Sequence, residues 1–544
     1  MSRKSAKAAI AALAILGLTS ACATTSNDSG DSTSSGASGD SSVLTVGTTD
    51  KVSSIDPAGS YDNGSFMVMN QVYPFLLNTV PGAEDVTPTP DIAASAEFTS
   101  DTEYTVVLKP DLTFANGHDL TSSDVKFSFE RQLAIADPNG PSSLLGSLDS
   151  IDTPDDVTVV FHLKAANDQT WPQVLSSPAG PIVDEEVFPA DSILSDDEIV
   201  AAEPFAGQYS ISSYTLNELV ALEPFDGYQG SLGDVKNDGV TITYYKDANN
   251  MKLDIQKNAI DVAYRSLSAT DVEDLSDDDN VQVVEGPGGE IRYIVFNFDT
   301  MPFGAATADA DSDKALAVRQ AVANLVDRQA IATDVYKDTY SPLYSYVPEG
   351  LEGATQDFMT KYGDGEGGPD SDKAAEILAA AGIETPVTLA LQYNPDHYGS
   401  SSGDEYAAIK SQLESSGLFT VDLQSTEWVQ YSKDRVADVY PAYQLGWFPD
   451  YSDPDNYLTP FFTADNFLAN HYENTEVQSL IAEQVTQADP DERLATLEKI
   501  QDLVSDDIST LPLLQGKQVA VAGSDVSGVT LDASFKLRLA GVTK

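Results

Sequence analysis

Cysteine, histidine and basic residues are scarce in this sequence. One cysteine, Cys22, in 544 residues excludes an intramolecular disulfide framework and a metal site built from several cysteines. Four histidines argue against a multi-histidine catalytic centre. Only 29 Lys and Arg stand against 86 Asp and Glu, which gives a formal net charge of −57. No nucleic-acid partner is expected, because phosphate contacts require a basic surface, and a polybasic lipid-binding face is equally disfavoured.

Long apolar runs are also missing beyond the first 21 residues. No later stretch approaches 18 uncharged apolar residues, so no transmembrane helix is expected. The chain nevertheless has 41% hydrophobic residues, including 20 Phe and 24 Tyr, which can build large cores. Its length predicts three or four domain-sized units.

The N-terminus has the pattern of an export signal. Residues 3–7 carry three positive charges, and an uncharged apolar stretch follows from residue 8 to residue 18. Cys22 comes directly after Thr19-Ser20-Ala21, which resembles a bacterial lipobox. We therefore expect a signal peptide at 1–21, lipidation of Cys22 and a flexible linker over 22–42. The expected location is the outer face of a bacterial cytoplasmic membrane; the alternative is an ordinary cleaved signal with an incidental cysteine.

Strand-like runs alternate with amphipathic helical patterns along the rest of the chain, which favours an α/β fold. Strands are predicted at 43–48, 104–108, 157–163 and 291–298, and helices at 124–133, 314–327, 475–487 and 489–505. Ser123 or Asp124 is the expected N-cap of the first of these helices.

Several motifs in order resemble one family. Leu108 to Arg131, LKPDLTFANGHDLTSSDVKFSFER, is similar to the signature of the peptide/nickel family of ABC-transporter solute-binding proteins. Leu445 to Leu458, LGWFPDYSDPDNYL, resembles the most specific motif of that family. The resemblance covers about residues 43–544; further matching segments are 205–211, 253–262, 294–297, 318–328, 492–493 and 511–513.

The resemblance implies a two-lobed, type II periplasmic-binding-protein fold with a hinge-closed cleft and an extra subdomain in the first lobe. Mapped onto this sequence, the lobes and the two crossings between them have the following expected bounds. Lobe I comprises 43–60, 201–288 and 508–544, the extra subdomain 61–200 and lobe II 289–507, with crossings near 286–289 and 506–512.

The same resemblance implies where ligand binds. A peptide presents a cationic amine and a backbone ladder, which call for a buried carboxylate and exposed strand backbone. In peptide-binding relatives, the residue matching Asp450 pairs with the ligand amine, and the backbone around Gly446, Trp447 and Phe448 bonds the peptide. The alternative for Asp450 is a structural role, capping the turn that follows it.

Further candidates come from the same comparison of motifs. Trp428 and Trp447 match pocket tryptophans of the relatives, although core packing is the usual fate of tryptophan. The run Tyr61-Asp62-Asn63 resembles a loop that passes beside the ligand backbone. Arg265 is a candidate cleft residue, with a surface ion pair as its alternative.

One expected feature of dipeptide-specific relatives is missing. Those proteins place an arginine after the strand corresponding to 387–393, where it clamps the ligand carboxylate. Here the stretch 392–398 contains no arginine, so longer peptides or another solute are favoured. His397 in this stretch is a candidate cleft residue, but the four histidines lack metal-ligand spacing, and no metal site is expected.

Enzyme motifs do not occur in this sequence. It contains no Gly-x-Ser-x-Gly elbow, no Gly-x-x-x-x-Gly-Lys-Ser/Thr loop and no His-Glu-x-x-His pair. Residues 309–313 begin like a calcium loop but lack its glycine, and we interpret them as a solvated acidic loop. Because Asp and Glu are abundant, counting them does not exclude the alternative of a glycosidase site built from a pair of carboxylates.

The hypothesis is an oligopeptide-binding protein of an ABC importer, which is not an enzyme and needs no cofactor. Its expected partners are an oligopeptide ligand, the permease and ATPase subunits, and the membrane through a lipid anchor; the expected state is a monomer. The alternatives are the same fold binding an oligosaccharide, a nickel chelate or a signalling peptide, a secreted hydrolase, and a surface adhesion protein.

Overall fold

The structure is a computed structural model that describes residues 43–83, 85–265, 267–399, 401–464 and 466–544. The predicted signal peptide, Cys22 and the predicted linker lie outside the described residues. Among the helices that are described, none combines the length and the apolar character needed to cross a bilayer.

A seven-stranded mixed sheet brings together distant parts of the chain. Leu44–Thr48 lies in its interior and runs parallel to both neighbours, while the other pairs are antiparallel. The sheet has its own buried apolar core, which explains the apolar character of these strands. In spatial order its strands are Val281–Gly286, Gln518–Gly523, Val262–Tyr264, Leu44–Thr48, Val240–Tyr244, Leu219–Pro224 and Tyr209–Thr215.

A six-stranded sheet forms the second large layer. Every residue of Ile291–Phe296 is buried, as the unbroken apolar run predicts, since both faces of this strand are covered. In spatial order the strands are Tyr340–Pro342, Thr510–Gly516, Ile291–Phe296, Ala442–Trp447, Val387–Tyr393 and Phe419–Ser425.

The membership of Thr510–Gly516 corrects one predicted boundary. We expected lobe I to resume at residue 508, but this strand pairs antiparallel with Ile291–Phe296 in the six-stranded sheet. The chain enters the seven-stranded sheet only with Gln518–Gly523. The sequence pattern missed this because both strands are buried and apolar, with one residue, Lys517, between them.

A smaller four-stranded antiparallel sheet has a separate core. Its strands are Ala93–Ser100, Glu103–Leu108, Thr158–Leu163 and Leu148–Asp152 in spatial order, and Leu77–Asn78 pairs with Thr89–Pro90 nearby. Trp171 is fully buried in this core, with its ring centroid 5.2 Å from that of Phe161.

Helices cover the sheets, and most of them begin at an Asp, Ser, Thr or Asn N-cap. Such a side chain accepts a hydrogen bond from an N–H group of the first turn, which has no partner within the helix. The predicted cap of Ser122–Ile135, Ser123 or Asp124, was wrong by two or three residues. Thr121 is the N-cap, and the Asp124 carboxylate accepts a hydrogen bond from the Thr121 N–H at 2.8 Å. The helices are Asn63–Val72, Ser122–Ile135, Trp171–Val174, Asp196–Ala202, Ala248–Gln256, Ala269–Ser276, Ser312–Leu325, Arg328–Asp334, Asp357–Lys361, Ser371–Ala380, Ser402–Ser415, Trp428–Arg435, Thr459–Phe462, Thr475–Gln484 and Pro490–Asp507, with 3₁₀ turns at Ser142–Leu145 and Pro454–Tyr457.

The two large sheets are connected by chain segments that run side by side. Gly288 leads from one sheet to the other, and a Cβ atom placed on it would lie 1.2 Å from the carbonyl oxygen of Gly516. Only glycine permits this approach. Gln515 fixes the same place by donating its side-chain amide to the Gly288 carbonyl at 2.8 Å.

Candidate functional site

A cavity of about 690 Å³ is lined by residues from both large sheets and from the region of the small sheet. All nine residues that the sequence singled out for ligand contact line this one cavity. They are Tyr61, Asp62, Asn63, Arg265, Trp428, Gly446, Trp447, Phe448 and Asp450. Residues from four separate segments, 61–63, 265, 428 and 446–450, therefore converge on a single cavity, as is typical of a ligand-binding site.

Asp450 follows the strand Ala442–Trp447 and points its carboxylate into the cavity. Burial raises its pKa above the ordinary value, while hydrogen bonds from Asn456 and Tyr61 lower it. The Tyr61 hydroxyl donates to one carboxylate oxygen, and the Asn456 amide donates to the other at 3.0 Å. In the described residues no Lys or Arg forms an ion pair with Asp450, so a cationic ligand group would supply its missing counter-charge.

Asn456 is a site residue whose importance the sequence analysis missed. It is 3% exposed, and its carbonyl oxygen accepts from the Trp447 indole at 3.0 Å and from the Asp450 backbone N–H at 2.9 Å. This one amide therefore orients both the tryptophan and the carboxylate. The turn that follows is capped by a different residue, Asp453.

The segment that carries Asp450 is anchored from behind by an arginine. Arg493, in the helix Pro490–Asp507, binds both oxygens of the buried Asp453 at 2.9 and 2.7 Å. Asp455 is buried beside this pair, and burial followed by the charge of Asp453 raises its pKa to about 6. The Arg493–Asp453 ion pair and the buried Asp455 thus hold the turn that follows Asp450.

Aromatic rings form one wall of the cavity. The indole of Trp428 stacks on His397 with ring centroids 3.8 Å apart and planes 5° from parallel. Trp447 packs edge-on against Phe461 and Phe467, at 5.3 and 5.5 Å. His397, a candidate from the sequence, lines the cavity, and burial lowers its pKa. Such rings offer flat apolar surfaces to ligand side chains.

The opposite wall comes from the seven-stranded sheet and the helix Asn63–Val72. Arg265 forms an ion pair with Asp50 at 2.8 Å, and its guanidinium lies 5.7 Å from the Phe448 ring. Asp62 is the N-cap of that helix and accepts from the Ser65 N–H at 2.8 Å, so its carboxylate is already occupied. Arg265 therefore both forms an ion pair and lines the cavity, so the two predicted alternatives for this residue are not exclusive.

A charged network lies behind the strand of Gly446. Arg292 is 4% exposed and binds Glu290 at 2.8 Å, with Glu405 3.7 Å away on the other side. Tyr340 donates to Glu290 at 2.9 Å, and Tyr398 donates to the Gly446 carbonyl at 3.3 Å. This network fixes the strand edge that faces the cavity.

Within the ranges the structure describes, no group of three or more His, Cys, Asp or Glu side chains is arranged to hold a metal ion. In the run 309–313, Asp311 caps the helix Ser312–Leu325 by accepting from the N–H groups of Asp313 and Lys314. That acidic residue has a structural role at a helix end.

Solved structures with the same architecture define the class of fold. The ABC transporter substrate-binding protein CtaP of Listeria monocytogenes has a TM-score of 0.77 and 23% identity, covering 93% of this chain and 99% of that one. The oligopeptide-binding protein AppA of Bacillus subtilis, solved in complex with a nonapeptide, has a TM-score of 0.69 and 19% identity, covering 92% and 98%. The protein therefore has the two-lobed type II periplasmic-binding-protein fold, as predicted.

Sequence comparison then gives the family. Residues 87–468 match the profile of the bacterial extracellular solute-binding proteins, family 5 middle, and the chain belongs to this family. A curated relative, the dipeptide-binding protein DppE of Bacillus subtilis strain 168, is 24% identical over 518 residues, which is 90% of this chain and 89% of the relative. The resemblance to solute-binding proteins of the peptide/nickel type is confirmed.

Proposed function

We propose that this protein captures oligopeptides outside the cytoplasmic membrane and delivers them to the permease of an ABC importer. The observation that carries the proposal is Asp450, a carboxylate without a cationic partner in the described residues, at the end of a strand that borders a cavity with aromatic walls. The family supports a solute-binding role, and the relatives described as dipeptide- and oligopeptide-binding support a peptide ligand.

The proposed binding mode uses each part of the cavity. The α-amino group of the peptide pairs with Asp450, whose orientation Asn456 maintains. The main chain of the peptide runs along the backbone after Gly446, and its side chains contact Trp428 and Trp447. No covalent bond is made or broken, so the protein acts as a binder and not as an enzyme.

Capture requires the two lobes to close over the ligand. We assign lobe I to 43–60, 201–288 and 517–544, the extra subdomain to 61–200 and lobe II to 289–516, with the hinge at the adjacent crossings around Gly288 and Gly516. Contacts that span the lobes at the cavity include those of Tyr61 with Asp450, Arg265 with Phe448, and the Ser452 hydroxyl with the Ala533 carbonyl. A ligand that binds closed lobes better than open ones drives closure.

We further propose that the protein is a monomer on the outer face of the cytoplasmic membrane, where lipidated Cys22 and the linker 22–42 attach it. The permease and ATPase subunits of the importer are the proposed protein partners. Mass spectrometry of the protein isolated from membranes tests the anchor: a mature chain beginning at Cys22 with acyl mass supports it, and a free thiol at Cys22 contradicts it.

The test of peptide capture has two parts. Native mass spectrometry of the gently purified protein should reveal a mixture of retained peptides; a retained glycan or nickel complex, or turnover of the retained compound, would contradict the proposal. Calorimetry with a released peptide should then show at least ~10-fold weaker binding by Asp450→Asn, since a hydrogen bond to a charged group is lost. Asp438→Asn, which changes a carboxylate outside the cavity, should bind as the unchanged protein does.

A further inference from the structure

Three cationic side chains line the cavity: Arg265, Lys517 and Lys536. Two of them already have partners, since Arg265 pairs with Asp50 at 2.8 Å and Lys517 with Glu285 at 3.0 Å. For Lys536 the described residues contain no carboxylate within the 4.0 Å of an ion pair. A basic side chain without a carboxylate partner is unusual in a chain with 86 Asp and Glu against 29 Lys and Arg. Its lack of a partner distinguishes Lys536 from the other two basic residues of the cavity wall.

Lys536 is also the most enclosed of these three cations. It is 7% exposed, and its ammonium group donates to the Ser176 carbonyl at 2.5 Å. The side-chain oxygen of Asn78 is 3.5 Å away, and the rings of Phe66 and Phe75 lie at 6.0 and 5.5 Å. Burial, followed by the positive charge of nearby Arg538, lowers the pKa of Lys536 well below its ordinary value.

The two carboxylates whose charges act on Lys536, Asp91 and Asp532, are occupied by other donors. Asp91 accepts from Tyr228 at 2.6 Å and from Asn78 at 3.1 Å. Asp532 accepts from the Gly82 N–H at 2.7 Å and from the Ser534 N–H at 2.9 Å. These charges offset part of the local positive potential at a distance, but neither carboxylate reaches Lys536 itself.

Arg538, the other buried cation of this region, differs from Lys536 in two respects. Its guanidinium donates to the side-chain oxygen of Asn78, whose amide in turn bonds Asp91, so it is linked to a carboxylate through one residue. It also does not line the cavity, as Lys536 does. The cation available to a ligand is therefore Lys536.

Two further polar side chains of the cavity wall, Thr79 and Gln173, have unused hydrogen-bonding capacity. The hydroxyl of Thr79, which follows Asn78, is buried and has no partner in the described residues. Gln173 is 7% exposed, and no hydrogen bond of its side-chain amide is found in the described part of the chain. Both line the cavity, and Gln173 lies one turn before Ser176, the residue bonded to Lys536.

We propose that Lys536, with Thr79 and Gln173, binds a carboxylate of the ligand while Asp450 binds its amine. An ammonium, a hydroxyl and an amide N–H together supply the donors that a carboxylate needs when it leaves water. The inference rests on the proposed function and narrows its substrate class to peptides with an anionic group that reaches this part of the cavity. That group is either an acidic side chain or the C-terminal carboxylate.

The first experiment needs only the wild-type protein. Calorimetry is carried out with alanine tetrapeptides in which Glu, or its neutral isostere Gln, occupies each position in turn, and each peptide is made as the free acid and as the C-terminal amide. An acidic side chain is the source if one Glu peptide binds at least ~10-fold more tightly than its Gln isostere. The terminal carboxylate is the source if amidation causes that loss. Equal binding by all members overturns the inference and leaves peptide capture intact, and binding by none overturns both.

The second experiment compares Lys536→Met with Lys517→Met, which changes a cation of the same cavity that already has a partner. Lys536→Met should reduce affinity for the preferred anionic peptide by at least ~10-fold and change affinity for its neutral counterpart little, whereas Lys517→Met should preserve the preference. An equal loss for both peptides in Lys536→Met would show a merely structural lysine and overturn the assignment. If Lys536→Met does not fold, the wild-type comparison decides.

Discussion

Asp450 illustrates how a residue proposed to bind ligand can lower the stability of the free protein. Its carboxylate is enclosed by Tyr61, Asn456 and the cavity wall, and burial raises its pKa. Because the unfolded chain exposes this group to water, its ionisation favours the unfolded state whenever the ligand is absent. Under the proposed function, a cationic group of the ligand removes this destabilisation on binding.

We therefore predict that Asp450→Asn stabilises the ligand-free protein at neutral pH. A carboxyl group with a raised folded-state pKa contributes relative stability at low pH and loses it as pH rises through that pKa. The gain from Asp450→Asn should thus be largest near neutrality and shrink in acid. Urea denaturation from about pH 5 to pH 8 measures it.

Asp438 provides a control, because its replacement is expected to change the free energy of unfolding in the opposite direction. Hydrogen bonds from Asn297 and His471 lower its pKa, so its contribution is present above the unfolded-state value and is lost as pH falls. Asp438→Asn should therefore destabilise the protein at neutral pH. If Asp450→Asn also destabilises at every pH, the burial argument for Asp450 is wrong.

Residues of the site differ in how far sequence could predict them. Trp447 and Asp450 lie in one contiguous motif, so their neighbourhood is visible in the chain. Asn456 follows six residues later, but its bond to the Trp447 indole depends on the fold of the turn. Lys536 lies in no motif, and its significance comes from the absence of a neighbouring carboxylate in three dimensions.

At the scale of elements, the turn after Asp450 depends on a distant helix. Arg493 in Pro490–Asp507 binds Asp453 through two hydrogen bonds, and both side chains are mostly buried. Removing one member of such a pair leaves the other charge buried without a partner. The binding segment is therefore positioned by an element that does not itself line the cavity.

We predict that Arg493→Met lowers the free energy of unfolding by about 3 kcal/mol and weakens peptide binding. The double variant Arg493→Met/Asp453→Asn should recover part of the stability, because the unpaired carboxylate is removed. Lys499→Met, in the same helix, breaks an exposed pair with Glu476 and should change both properties little. Chemical denaturation and calorimetry measure the two effects; no recovery in the double variant would contradict the ion-pair explanation.

The bounds of helices and strands were predicted well where apolar residues recur along the sequence in a clear pattern. The strand Ile291–Phe296 and the helix Ser312–Leu325 lie within three residues of their predicted bounds. The helix cap at Thr121 was missed because Thr121, Ser123 and Asp124 can all cap, and only the backbone decides between them. Strand partners could not be predicted, since the pairing of Ile291–Phe296 with Thr510–Gly516 joins segments more than two hundred residues apart.

At the scale of the whole molecule, net charge is the dominant property. A formal charge of −57 makes the compact state repel itself, and most of these acids belong to neither the cavity nor a buried ion pair. Dissolved ions shield exposed charges beyond a Debye length of ~10 Å at 0.1 M salt. Such a surface suits a crowded or saline exterior.

We predict that added sodium chloride raises the melting temperature. The reason is that shielding reduces repulsion more in the compact chain than in the expanded one. Differential scanning calorimetry from low to molar salt measures the effect, with sucrose as an uncharged control solute. A melting temperature that stays constant or falls with salt would contradict the prediction.

The position of Gln518–Gly523 inside the seven-stranded sheet has a consequence for biosynthesis. This strand lies between Val281–Gly286 and Val262–Tyr264, so a nascent chain that ends before residue 518 lacks an interior strand of that sheet. The six-stranded sheet, in contrast, is complete at residue 516. Synthesis from the N-terminus therefore leaves Leu44–Thr48, the first strand that the structure describes, in an unfinished sheet until Gln518–Gly523 has been made.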